Sequence, residues 1–195
     1  MKKYVDLACS MGFNEAVYFD PQKVSFHDAD ILRDACKANY CGKHGKYWNC
    51  PPGMGTVKKR EDIFYSYDHG IMMQLLTEPL NSALQGELYQ EVATSVNMMG
   101  KALKENIKKE YDDVYLMGMS GCTLCDVCSY PVEECRHPDE VVTSISGNCI
   151  NVYRLWESTG LTRPGMDMTD LYVIILYKNK TQSHQDQSLN KELTI

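Results

Sequence analysis

Seven cysteines fall into two groups whose spacing carries the strongest chemical signal in the chain. The stretch GCTLCDVCSYPVEEC (121–135) holds Cys122, Cys125, Cys128 and Cys135, with two, two and six residues between them. A C-x2-C-x2-C run opens the bacterial ferredoxin pattern. The reason is geometric: a loop with a thiolate at every third residue can wrap three corners of a compact cubane while its backbone N–H groups turn toward the sulfides. Tetrahedral zinc usually takes two well-separated pairs, so a third cysteine three residues on is surplus to that design, although Cys122, Cys125, Cys135 and His137 would satisfy a zinc ion. The gap before Cys135 is longer than the ferredoxin gap of three. With Pro131 turning the loop, Cys135 is expected to return to its own cluster. A disulfide staple is the remaining alternative.

The first group is Cys36, Cys41 and Cys50, with four and eight residues between them and Pro51-Pro52 immediately after. Three such cysteines could be buried small side chains. Two details point to a site instead: they lie in a Gly/Pro-rich stretch rather than on an apolar stripe, and a Cys-Pro step also follows the last ferredoxin cysteine. This loop carries Lys37, Lys43, Lys46, Lys58, Lys59 and Arg60 with no acidic residue, whereas 122–140 sets Arg136 against Asp126, Glu133, Glu134, Asp139 and Glu140. The basic residues would offset thiolate charge if they are not an ordinary solvated face, and the two loops are expected to attract each other and sit close.

Two four-iron clusters held wholly by cysteine need eight thiolates, and the two groups supply seven. The eighth is Cys149, Cys9 or a non-cysteine ligand; otherwise one iron stays open and can act as a Lewis acid on a substrate. Cys9 reads as buried filler in an N-terminal helix, which leaves Cys149 as the possible eighth ligand. Tyr47 and Trp48 beside Cys50 would keep water from a site. His44 and His137 read as surface histidines within reach of the cysteines. The chain has no Ser/His/Asp signature, phosphate-binding loop or nucleotide fingerprint.

The elements that must hold these loops follow from periodicity. AVYFDPQKVSF (16–26) reads as two short strands around an Asp20-Pro21 turn. Residues 28–39 read as a helix with an acidic first turn, 40–56 as a loop, 57–67 as a helix and 69–76 as a buried strand. Leu84, Leu88, Val92, Val96, Met99, Leu103, Ile107 and Tyr111 form the core stripe of one long helix, with Asn81 or Ser82 as its cap. Strand 113–120 then feeds the second cysteine loop. Residues 144–160 suggest a further helix, LYVIILY (171–177) a last buried strand, and 178–195 a polar tail. Strand, long helix, strand across 69–119 predicts a right-handed βαβ crossover within a mixed sheet. The fold class is therefore α+β, a single domain over 1–195.

The net charge of −6 excludes a general nucleic-acid binder. The opening MKKYVDLACSMGF lacks the apolar run of a signal peptide, and LYVIILY is too short to span a bilayer. A cytoplasmic protein is expected, in which clustered thiols bind metal or do redox work rather than pair as disulfides.

The segments C-x4-CGKHGKYWNCPP, GCTLCDVCSYPVEECRHP and INVYRLWESTGL together resemble a family of small prokaryotic proteins known only as metal-binding, domain of unknown function 2284. The resemblance runs from Asp30 to about Leu161. It implies a cytosolic protein of an anaerobic bacterium or archaeon that binds metal through Cys36, Cys41, Cys50, Cys122, Cys125, Cys128 and Cys135, and it implies no particular activity. A glycine commonly occupies the place of Cys149 in that family. The expected function is electron transfer to a redox partner by one or two [4Fe-4S] clusters. The alternatives are an iron–sulfur enzyme with an open iron for a small-molecule substrate, and a zinc-stabilised binding module.

Overall fold

A computed structural model describes residues 2–80, 86–119, 122–161, 165 and 167–180. Five helices surround one mixed sheet: α1 (Lys2–Ser10), β1 (Glu15–Phe19), α2 (Ala29–Ala38), α3 (Val57–Tyr65), β2 (His69–Thr77), α4 (Gly86–Ile107), β3 (Asp112–Gly118), β4 (Thr143–Ser144), α5 (Val152–Ser158) and β5 (Thr169–Lys178). The strand order is β1-β2-β5-β3-β4. β5 runs antiparallel to both β2 and β3, so β2 and β3 are parallel with one strand between them, and β3 pairs parallel with β4. The polypeptide between them includes α4, which lies across β5 and β3.

The unbroken apolar run of β5 follows from its central place, because a strand covered on both faces has no polar side to alternate with. Leu171, Val173, Ile175 and Tyr177 join one core with Ala93, Val96, Leu103 and Ile107 of α4 and Tyr4 of α1. The intervening Tyr172, Ile174 and Leu176 enter a second core with Phe64 of α3 and Leu155 and Trp156 of α5. The result is three layers, helix–sheet–helix. α4 comes closest to the sheet at Gly100, where a Cβ would stand 2.7 Å from Val173 Cγ1.

Several local expectations change. No second strand follows Asp20; Pro21–Lys23 is a 3-10 turn, with Gln22 N–H donating to Asp20 Oδ1. Leu88 is 44 % exposed and Tyr111 falls beyond the helix, while Val96, Leu103 and Ile107 are buried together with Ala93 and Gly100, and Val92 and Met99 pack against that core. The cap at Asn81 or Ser82, and Leu84, lie outside the described residues, as does the tail after Lys180. The segment 144–160 is not one helix but a 3-10 turn (Ser146–Asn148) and α5, separated at Cys149. The break has a polar cause. Asn148, 2 % exposed, accepts from Tyr115 Oη and donates to Thr143 Oγ1 and the Ser144 carbonyl, so its side chain fixes a tight turn.

Candidate metal centre

β3 delivers the chain to the second cysteine group, and a polar clamp from α4 fixes where it arrives. Met119 N–H donates to Asn97 Oδ1 (3.0 Å), and Asn97 Nδ2 donates to the Met119 carbonyl (2.8 Å). Only glycine fits before the clamp: a Cβ on Gly118 would meet Asn97 Oδ1 at 2.1 Å and Val142 Cγ1 at 2.8 Å. The loop beyond folds back on itself. Ser129 Oγ donates to the Glu134 carbonyl (2.7 Å) and Arg136 Nη2 to the Val127 carbonyl (2.8 Å). That reversal brings Cys135 to the cavity lined by Cys122, Cys125 and Cys128, all four thiols being free and half-buried. Tyr130-Pro131, at the turn, is a cis peptide.

The first group is built from the end of α2 and the loop after it. Cys36 lies in the last turn of α2, which Asn39 ends in the left-handed conformation (φ 59°). Asn39 Oδ1 then accepts the His44 N–H (2.9 Å). Cys41 is exposed and Cys50 buried at 7 % exposure. The two loops sit together as expected, but among the described residues no ion pair joins them. Trp48 Nε1 donates to the Glu133 carbonyl (3.0 Å), and its ring meets Tyr130 edge-on at 4.9 Å. Asn49, 1 % exposed, donates to the Val142 carbonyl (3.0 Å). Aromatic packing and backbone hydrogen bonds, rather than opposite charge, make the contact. Tyr47 and Trp48, expected to shield a site beside Cys50, line the cavity of the second group.

Electrostatics tie the thiols of each group together. Burial pushes the Cys50 thiol up to about 11, and the neighbouring Cys41, Cys36 and Cys122 raise it further, while Lys43 opposes the shift. Burial likewise raises Cys36; Arg33 opposes this, and Cys41 and Cys149 add to it. Cys122 is raised by burial and by Cys135, Cys125 and Cys128, against a hydrogen bond from the Leu124 N–H. The Trp48 contacts with Glu133 and Tyr130 bring the two groups side by side.

Cys149 is 1 % exposed and sits at φ 64°, a conformation glycine adopts without strain. It accepts a hydrogen bond from Arg33 Nη2 (3.3 Å), and the buried Arg33 Nε has no partner among the described residues. Cys9 is exposed on α1, contrary to its reading as buried filler. Arg60 is no part of a solvated face: it is 8 % exposed, on the same side of α3 as Phe64. His137 lines the four-thiol cavity and contacts Glu140 (3.3 Å). The positioning roles of Asn97, Asn49 and Arg33 carry no sequence signature, because a lone amide or guanidinium becomes a strut only through its tertiary partner.

Soft thiolate donors select zinc, copper(I) and iron–sulfur clusters over hard cations, so the donor set fits such a group. Among the described residues no three His, Cys, Asp or Glu side chains stand close enough to hold a single metal ion; the four thiols ring a cavity rather than meet at a point. No described helix is long and apolar enough to cross a membrane. Comparison with the curated proteins and with the solved structures gives no match. The profile of a family described as predicted metal-binding protein (DUF2284) matches residues 18–176. That span runs from within β1 to within β5 and contains both cysteine groups, so the chain belongs to this family of predicted metal-binding proteins.

Proposed function

We propose that Cys122, Cys125, Cys128 and Cys135 hold a [4Fe-4S] cluster and that Cys36, Cys41 and Cys50 hold a second. The protein would thus pass electrons to a redox partner in anaerobic metabolism. The observation that carries this reading is the ring of four half-buried thiols on one cavity. The C-x2-C-x2-C spacing, with a fourth thiol on the same cavity, suits a cubane that takes a thiolate at each of four corners. A cluster bound there supplies reversible one-electron chemistry. The chain's own contribution is shielding and charge. Tyr47 and Trp48 exclude water, the Leu124 N–H stabilises the Cys122 sulfur, and the basic first loop favours added negative charge.

A second reading, an iron–sulfur enzyme with an open iron, is favoured by one observation. Cys41 and Cys50 form part of the lining of a separate cavity of about 720 Å³. Cys149 would close that vacancy as an eighth ligand, since its sulfur accepts from Arg33, which stands one turn before Cys36 on α2.

Anaerobic purification with iron and sulfide assays tests both readings against zinc. About eight irons and eight acid-labile sulfides per chain are expected for two clusters, and about four of each for one. Colourless protein with zinc and no sulfide sinks both. Replacing Cys149 with Ser then separates the two readings: loss of one cluster signal means full cysteine ligation and favours the carrier. An unchanged cluster whose spectrum responds to cyanide favours the enzyme.

A further inference from the structure

The cavity beside the three-cysteine loop has the build of a small-molecule site. Its volume of about 720 Å³ lies within the range of ligand pockets, which pair apolar walls with a few convergent polar groups. Apolar contact comes from Tyr89 of α4, Met119 at the end of β3, and Ile145. Polar contact comes from Ser144 and Ser146, whose hydroxyl oxygens stand 3.4 Å apart, and from Lys43. Lys43 is the one charged residue among the described residues that line the cavity, and no carboxylate borders it there. Among the described residues its ammonium pairs with no acidic side chain; it lies 5.7 Å from the Tyr47 ring centroid. A cation beside a largely apolar cavity favours an anionic ligand over a neutral one of the same shape, because the anion adds a charge-assisted contact.

We propose that this cavity binds a compact organic oxyanion. Its carboxylate or phosphate head meets Lys43 beside the Cys41–Cys50 wall, and its apolar body lies against Tyr89, Met119 and Ile145. The shared chemistry is an oxyanion on a small apolar frame. That the anion is a substrate rests on the open-site reading above; that it binds does not.

The test uses the full chain, reduced and metal-free, and again after anaerobic loading with iron and sulfide. Methionine methyl groups are labelled with carbon-13, and the Met119 signal is assigned from Met119→Leu. Benzoate, phenyl phosphate and neutral benzamide are titrated in turn. Saturable movement of the Met119 signal is expected with at least one anion, at a Kd of about 10 mM or tighter for a probe of this size. Which anion binds more tightly identifies the head as carboxylate or phosphate. Benzamide should bind at least about tenfold more weakly, and Lys43→Gln should abolish that preference while leaving the unliganded spectrum in place. Equal binding of benzamide and the anions, no saturable shift with any probe, or a preference that survives Lys43→Gln each overturns the proposal. Iron and sulfide counts are read on the same samples. Anion preference in a chain that takes up zinc alone leaves the cavity standing and the cluster reading refuted; a loaded cluster without anion preference does the reverse.

Discussion

The clamp between Asn97 and Met119 predicts a coupling that can be measured. Asn97→Ala removes two hydrogen bonds, of 3.0 and 2.8 Å. At about 1 kcal/mol net for each half-buried bond the loss is about 2 kcal/mol. Alanine returns about 0.5 kcal/mol of helix propensity, leaving a cost of about 1.5 kcal/mol. Gly118→Ala attacks the same clamp from the strand. The new Cβ, 2.1 Å from Asn97 Oδ1, must expel that side chain and so loses both bonds, and it presses on Val142 Cγ1 at 2.8 Å. Adding about 1 kcal/mol for that overlap, and subtracting about 0.5 kcal/mol for replacing a strand glycine, gives about 2.5 kcal/mol. The single costs then sum to about 4 kcal/mol. In the double variant the clamp is already gone and only the Val142 contact remains, so its cost should be about 2 kcal/mol, a coupling of about 2 kcal/mol. Urea denaturation of the reduced, metal-free chain, followed by circular dichroism with an unchanged slope, measures all three. Additive costs, or a loss below about 0.5 kcal/mol for Asn97→Ala, would refute the assignment of Asn97 as the strut of the cysteine loop.

Three further outcomes are expected. Metal uptake must deprotonate thiols that the fold keeps protonated, Cys50 at about 11 and Cys36 and Cys122 raised by burial. Loading should therefore release protons, and affinity should fall as pH is lowered; pH-stat titration and competition with a chelator measure both. Tyr67, Tyr172 and Tyr177 are buried and their hydroxyls are raised above 10.0 by desolvation first. A raised pKa stabilises the fold below the unfolded value and loses that stability above it, so unfolding free energy should fall by up to about 4 kcal/mol per pH unit above about pH 10. Tyrosinate absorbance rising in step with loss of circular dichroism would bear this out, and independent titration would count against it. Asn148→Ala strips partners from Tyr115, Thr143 and the Ser144 carbonyl in a buried turn. A loss of about 2–3 kcal/mol is expected by urea melts, with the thiol of the adjacent Cys149 becoming reactive to iodoacetamide in the native state.

What the sequence made legible was the part written in periodicity. The two-faced burial of β5, the stripe of α4 from Val96 to Ile107, and α2 with Cys36 in its last turn all follow from spacing alone. The thiols spaced every third residue after β3, with Cys135, were expected to share one site, and all four line one cavity. What escaped was decided by tertiary partners. The helix pattern over 144–160 lost to the hydrogen bonds of one asparagine. Arg60 counted as one of six cations set against thiolate charge, yet its place beside Phe64 on α3 buries it. The loops met as their charges suggested, but through Trp48, Tyr130 and Asn49.

The place of β5 sets an order of events. β2 and β3 share no ladder; each is hydrogen-bonded to β5, which follows both cysteine groups and Cys149 in the chain. During synthesis from the N-terminus, all nine thiols are made before the strand that joins the two halves of the sheet. Until residues 169–178 are in place, β3 has no antiparallel neighbour to aim the Cys122 loop, and the nascent thiols are free to take metal in non-native sets. Metal taken up before the sheet closes should therefore scramble the sites, so adding metal to a refolding chain should give mixed thiol sets where the folded, metal-free protein gives one.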